Sequence, residues 1–162
     1  MRKEIQIFFT ALMFYTRIPC PKWVDHSQDY LNNATRYFPL IGWIVALGCS
    51  ITFLGCSYFF PISISVLLAM ITGIFITGVF HEDGFADTCD GFGGGWTQLK
   101  ILDIMKDSRS VAYGVIGSIL LLMLKFFALV TLAEISIWHC ILVMFLAHTL
   151  SRFSAITITI LS

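Results

Sequence analysis

The sequence predicts an all-α fold, a polytopic transmembrane helical bundle. Three observations carry this: 57% of its 162 residues are hydrophobic, only 12% are charged, and the apolar residues run in long unbroken blocks rather than in alternating or amphipathic stripes. A soluble domain carries about twice that share of charge and gathers its apolar residues on one face of each element. Blocks without a polar face have no aqueous surface to present, so lipid is the expected solvent.

The elements follow in order. Residues 1–36 read as an N-terminal interfacial helix and a connector. Arg2-Lys3 followed by the run from Ile5 to Tyr15 imitates a signal peptide, but Thr16-Arg17-Ile18-Pro19 follows where small residues for cleavage would stand. The run is short for spanning, so it is expected to lie at the interface. Residues 38–80 read as a first transmembrane hairpin: Phe38 to Phe60 carries no charge, Pro61 breaks the helix, and Ile62 to Phe80 is again uncharged. Residues 81–110 turn polar and glycine-rich and read as a large acidic loop. Residues 111–162 return to apolar segments, with a short one over 135–151 and another beginning at Phe153. Ten residues cannot span, so the chain is expected to continue past Ser162. The sequence shows no internal repeat and no soluble domain boundary, and 1–162 is read as a single membrane domain.

With the N-terminus in the cytoplasm, Arg2, Lys3, Arg17, Lys22, Arg36, Lys100, Lys106, Arg109 and Arg152 fall on or beside the cytoplasmic side, and Lys125 does not. This bias predicts a multi-pass protein of the cytoplasmic (inner) membrane with the 81–110 loop facing the cytoplasm. The formal net charge is zero, so no field favours nucleic acid as a partner; the lipid bilayer is the expected one, and an oligomer is compatible with the pattern. The five cysteines have no C-x-x-C pair and read as small buried hydrophobes, with Cys89 set apart by its acidic neighbours. The tryptophans read as interface anchors or packing.

Six of the ten acidic residues (Glu82, Asp83, Asp87, Asp90, Asp103, Asp107) are concentrated between His81 and Ser110. Asp83, Asp87 and Asp90 stand at i, i+4 and i+7, an arc of about 60° on a helix. Asp103 and Asp107, four apart, would line a second helix beginning near Gln98, joined to the first by a flexible turn at Gly93-Gly94-Gly95. Carboxylates this close repel unless a cation lies between them, and magnesium takes carboxylate oxygens together with substrate phosphates. The expected metal set is therefore Asp83, Asp87, Asp90, Asp103 and Asp107 around Mg2+, for phosphoryl transfer. Aspartates also cap helices and solvate turns, which is the plainer reading of any one of them. Zinc suits the cluster less, because His81 and Cys89 match no common zinc spacing.

Asp83, Asp87 and Asp90 are the catalytic candidates, with Asp90 the candidate general base as the last of its row. Lys106 and Arg109 read either as phosphate ligands or as membrane-edge cations. The backbone N–H groups at Gly93 and Gly94 are candidates to meet a diphosphate, and Arg152, four residues after His148, to line the same cavity. A divalent cation transporter is the rival class, since intramembrane carboxylates mark ion paths; here the acids fall after the second span rather than at mid-membrane.

The stretch HEDGFADTCDGFGGG resembles the H-x-D-G-x-A-D-x-x-D-G-x-G-G-G signature of the cobalamin synthase family. ILDIMKDSRSVAYGVIG, FYTRIPCP and RYFPLIGW resemble further segments of that family, in the same order. The resemblance implies a magnesium-dependent transferase of cobalamin biosynthesis. Its substrates would be adenosylcobinamide-GDP and α-ribazole or its 5'-phosphate, and its products adenosylcobalamin or its phosphate and GMP. Ser110-Val111 stands where the family has a glycine, and family members continue through further membrane helices, which implies a chain truncated at its C-terminus. The aspartate spacing is also similar to that of membrane CDP-alcohol phosphotransferases, where an arginine occupies the place of Asp87.

Overall fold

The computed structural model describes residues 2–24, 27–107 and 112–161, and among them every regular element is helical. In order these are α1 (Arg2–Tyr15), α2 (Gln28–Ala34), a 3-10 turn (Thr35–Tyr37), α3 (Phe38–Ser57), α4 (Ile62–Thr77), α5 (Phe80–Gly94), α6 (Gln98–Lys106), α7 (Ala112–Ile135) and α8 (Ile137–Leu161). Among the described residues three stretches are long and apolar enough to cross a membrane, Asp29–Ser57, Ala112–Ile135 and Ile137–Thr159, with mean hydropathies of 1.9, 2.4 and 1.6, and α4 passes only when counted with α5 as one broken span, which makes four. The all-α polytopic expectation holds.

The chain forms two compact units, Met1–Gly78 with Val130–Ser162, and Val79–Leu129. In the first, α3 is the central helix and packs on α4 and α8. It buries Phe38, Ile41, Val45, Ala46, Cys49 and Phe53. Lipid tails are as apolar as these side chains, so helices associate through close approach rather than by escaping water, and small residues mark the crossings. A Cβ on Gly42 would lie 2.5 Å from the His148 carbonyl oxygen of α8, and one on Gly73 of α4 would lie 3.0 Å from Cys49 Sγ. Thr72 of α4 donates to the Thr52 hydroxyl of α3 at 3.1 Å, an interhelical bond that keeps both hydroxyls satisfied away from water.

Helix α1 buries Ile7, Thr10, Ala11 and Leu12 and packs on α2 and α3. Its polar end is tied down by Arg36 and by the Tyr37 hydroxyl, both donating to Glu4, and Tyr30 donates to Gln6. The Arg17 amide donates to the Ile76 carbonyl at 2.7 Å, and its side chain lies across Gly78. Gly78 closes α4 in the left-handed conformation, at φ 64°. Glycine alone is comfortable there, and any Cβ would collide with Arg17.

Two sequence expectations change. The polar stretch after the hairpin is mostly helix rather than loop: α5 runs through Gly84, Gly91 and Gly93, and α6 begins at Gln98 as expected. Helix α8 is continuous where two short segments were expected, because no glycine or proline interrupts residues 137–161. Arg152 therefore lies inside a helix, not at the edge of one.

Candidate active site

In the second unit α5 carries the carboxylate row. Because α5 is helical from Phe80 to Gly94, Asp83, Asp87 and Asp90 do share one face. Their surroundings differ: Asp83 is exposed, Asp87 half-buried, and Asp90 only 5% exposed. Asp90 Oδ1 accepts the Gly114 amide at 2.7 Å. That amide belongs to the first turn of α7, where N–H groups lack partners within the helix and the macrodipole favours a negative charge, so Asp90 acts as a cap supplied from another helix.

Glycines let these elements close together. A Cβ on Gly114 would lie 2.5 Å from Asp90 Oδ2 and 2.9 Å from the Ala86 carbonyl, and one on Gly117 would lie 2.6 Å from Cys89 Sγ. Gly91 and Gly95 face Ile101 of α6, and Gly93 faces the Tyr113 ring. Gly93 and Gly94 thus occupy the last turn of α5, not a flexible turn, and the Gly95 amide donates to the Gly91 carbonyl. Amides engaged in a helix are not offered to a diphosphate, so their place here is in packing. Gly114 and Gly117 were not singled out from the sequence. Their signal was a small-residue spacing of three within an apolar segment.

Asp103 lies on α6, exposed and paired with Lys100 at 3.2 Å. Asp107 is the C-cap, with ψ 120°, and so leaves the helix and does not share a face with Asp103 as the four-residue spacing suggested. Lys106 is exposed at the last turn of α6, and Arg109 lies outside the described residues. Asp83 and Asp90 are two helical turns apart, about 10 Å along the axis. Among the described residues no three His, Cys, Asp or Glu side chains gather closely enough to hold an ion.

The first unit holds a separate polar group. Arg152 is 2% exposed, donates through Nη1 to the His148 carbonyl at 2.9 Å, lies 3.2 Å from His148 Nδ1, and places its guanidinium 5.5 Å over the Phe38 ring. Cys49 Sγ is 4.0 Å from His148 Nε2. A charge this deep in an apolar bundle is held by hydrogen bonds and a π face rather than by water.

Residues 7–162 match the family model described as Cobalamin-5-phosphate synthase. Among curated relatives, the chain is 48% identical over 150 residues to the adenosylcobinamide-GDP ribazoletransferase of Shewanella frigidimarina, covering 93% of this chain and 58% of that protein. It is 51% identical over 150 residues to the enzyme of the same name from Shewanella oneidensis, covering 93% and 57%. It is 46% identical over 161 residues to that of Leptospira interrogans, covering 99% and 61%. The chain therefore spans about three-fifths of the length of these relatives. No solved structure matches. The carboxylate-bearing α5, the glycine contacts that seat it and a match running through nearly the whole chain agree: the chain belongs to the cobalamin-5-phosphate synthase family.

Proposed function

We propose that this chain provides the carboxylate-bearing part of an adenosylcobinamide-GDP ribazoletransferase in the cytoplasmic membrane, with α5 and α6 facing the cytoplasm. The observation that carries the reading is the row Asp83, Asp87, Asp90 on one face of α5, held by Asp90 against the start of α7. The one-sided basic residues support the orientation.

In the reaction a ribose hydroxyl of α-ribazole, or of its 5'-phosphate, forms a P–O bond to the phosphorus nearer cobinamide. The bond from that phosphorus to the bridging oxygen breaks, and GMP leaves with the electron pair. The hydroxyl proton passes to a carboxylate. Asp90 was the expected base, but it is nearly buried and one of its oxygens already accepts the Gly114 amide. Asp87, one turn earlier on the same face and half-exposed, is the better placed acceptor. Asp90 then becomes the residue that positions the row.

Magnesium fits the chemistry of this donor set. Hard carboxylate oxygens at Asp83 and Asp87 suit it, and magnesium typically takes only one or two protein carboxylates besides substrate phosphates, so a third clustered ligand is not required. When bound, the ion would stabilise charge on the phosphoryl oxygens. Asp103 and Asp107 are assigned a more distant part, as one is paired with Lys100 and the other stands outside the helix. Lys106 and Arg109 are the proposed diphosphate ligands.

The test is release of GMP from adenosylcobinamide-GDP by a protein of the relatives' length carrying this sequence, reconstituted in vesicles. Release that requires both α-ribazole and magnesium is expected. GMP formed equally well without an acceptor, or transfer to a lipid alcohol instead, would contradict the assignment.

A further inference from the structure

The α5–α6 hairpin has a second surface that the carboxylate chemistry does not use. Ile101, Ile104 and Met105 of α6 meet the glycines of α5, so one apolar side of this nine-residue helix is already covered. Leu99 and Leu102 nevertheless point elsewhere, about 60° apart on the outer side, and Leu99 is 82% exposed. Trp96, just before the helix, is 97% exposed, and Phe92 of α5 is 69% exposed. Phe92 lies about half a turn of the helix away from the carboxylate row, on the opposite side of α5. Four large apolar side chains are thus exposed within eleven residues around one hairpin tip, a density that soluble surfaces rarely carry.

Chain connectivity limits what can cover this patch. Helix α7, with a mean hydropathy of 2.4, begins at Ala112, six residues after α6 ends at Lys106. Six residues reach at most about 20 Å, so α6 stays within that distance of the end of a membrane span. Leu99 and Leu102 on the outer side of a short helix, an indole just before it, and charged Lys100, Asp103 and Lys106 beside them match what the headgroup–acyl boundary accepts.

We infer that the tip of the α5–α6 hairpin is seated in the bilayer interface, with Phe92, Trp96 and Leu99 among the upper acyl carbons. The carboxylate row on the other side of α5 then faces water. This seating is independent of the reaction assigned above, since it rests on exposure and connectivity alone.

The test uses a protein of the relatives' length carrying this sequence, in vesicles of phosphatidylcholine and phosphatidylglycerol whose acyl chains are brominated close to the glycerol. The emission lost in Trp96→Phe isolates the Trp96 contribution from that of every other tryptophan. So exposed a residue takes no part in the fold, and unchanged far-ultraviolet circular dichroism checks this. The Trp96 component is expected to be blue-shifted, to lose most of its intensity to the brominated lipid, and to resist iodide present on both faces of the membrane. A component quenched by iodide and indifferent to bromine would place Trp96 in water and overturn the inference. Indifference to both quenchers would overturn it as well, by showing that a second copy or another protein covers the patch.

Discussion

The Asp90 carboxylate and the Gly114 amide meet at 2.7 Å, and at Gly114 no side chain larger than hydrogen leaves that meeting intact. A methyl group there would stand 2.5 Å from the other carboxylate oxygen. Gly114→Ala is therefore expected to lower stability by about 1–3 kcal/mol through overpacking. Asp90→Ala, which strips the amide of its acceptor, is expected to lose a similar amount, whereas Asp90→Asn keeps an acceptor oxygen and loses less. Unfolding in mixed micelles titrated with dodecyl sulfate orders the three variants, and equal stability for Asp90→Ala and the parent would refute the capping role.

The α3–α8 crossing makes a paired prediction from two glycines of one helix. A Cβ at Gly42 would stand 2.5 Å from the His148 carbonyl, whereas at Gly55 nothing lies within 4 Å. Gly42→Ala is expected to destabilise by about 1–3 kcal/mol. Gly55→Ala should leave stability unchanged or raise it by up to about 1 kcal/mol, the difference in helix propensity. Similar losses for both would mean that the two helices do not cross at Gly42.

Glu4 gives a pH dependence. The Tyr37 hydroxyl and then the Arg36 guanidinium hold its carboxyl below the ordinary value of 4.5. A group whose folded value is depressed stabilises at pH above its ordinary value and loses that contribution as pH falls through the lower, folded one. The contribution is small because the groups are exposed. Glu4→Gln should be slightly less stable than the parent at neutral pH, and the difference should vanish in acid. A gap that widens on acidification would reverse the assignment.

Much of this architecture was legible in the sequence because its signals are long or repeated. Uncharged runs broken at Pro61 announced the helices α3 and α4, and the i, i+4, i+7 spacing placed three aspartates on one helical face. The start of α6 at Gln98 was readable for the same reason. The glycines of α5 misled: between polar residues they look like turn formers, but here Gly91, Gly93 and Gly95 take the close approach of Ile101 and Tyr113, which only the tertiary structure reveals. Arg152 looked like a helix end because a charge commonly marks one. The neighbouring His148 carbonyl and the Phe38 ring, the latter 114 positions earlier, make it tolerable inside α8.

Orientation can be read by thiol labelling. Gln98 is exposed at the start of α6, and Gln98→Cys is expected to react with a membrane-impermeant maleimide only from the cytoplasmic face of sealed vesicles. Reaction from the opposite face alone would invert the proposed topology.

If the α5 row serves the chemistry rather than the fold, Asp83 and Asp87 can be changed without loss of stability, because neither is buried. In a protein of the relatives' length, magnesium-dependent GMP release is measured for the parent, Asp83→Asn and Asp87→Asn, alongside micellar unfolding of each. Asparagine keeps the shape and removes the charge, so turnover should fall on the order of a hundredfold or more with stability unchanged. Near-parental turnover in both variants would place the reacting groups elsewhere and leave the α5 row a structural feature.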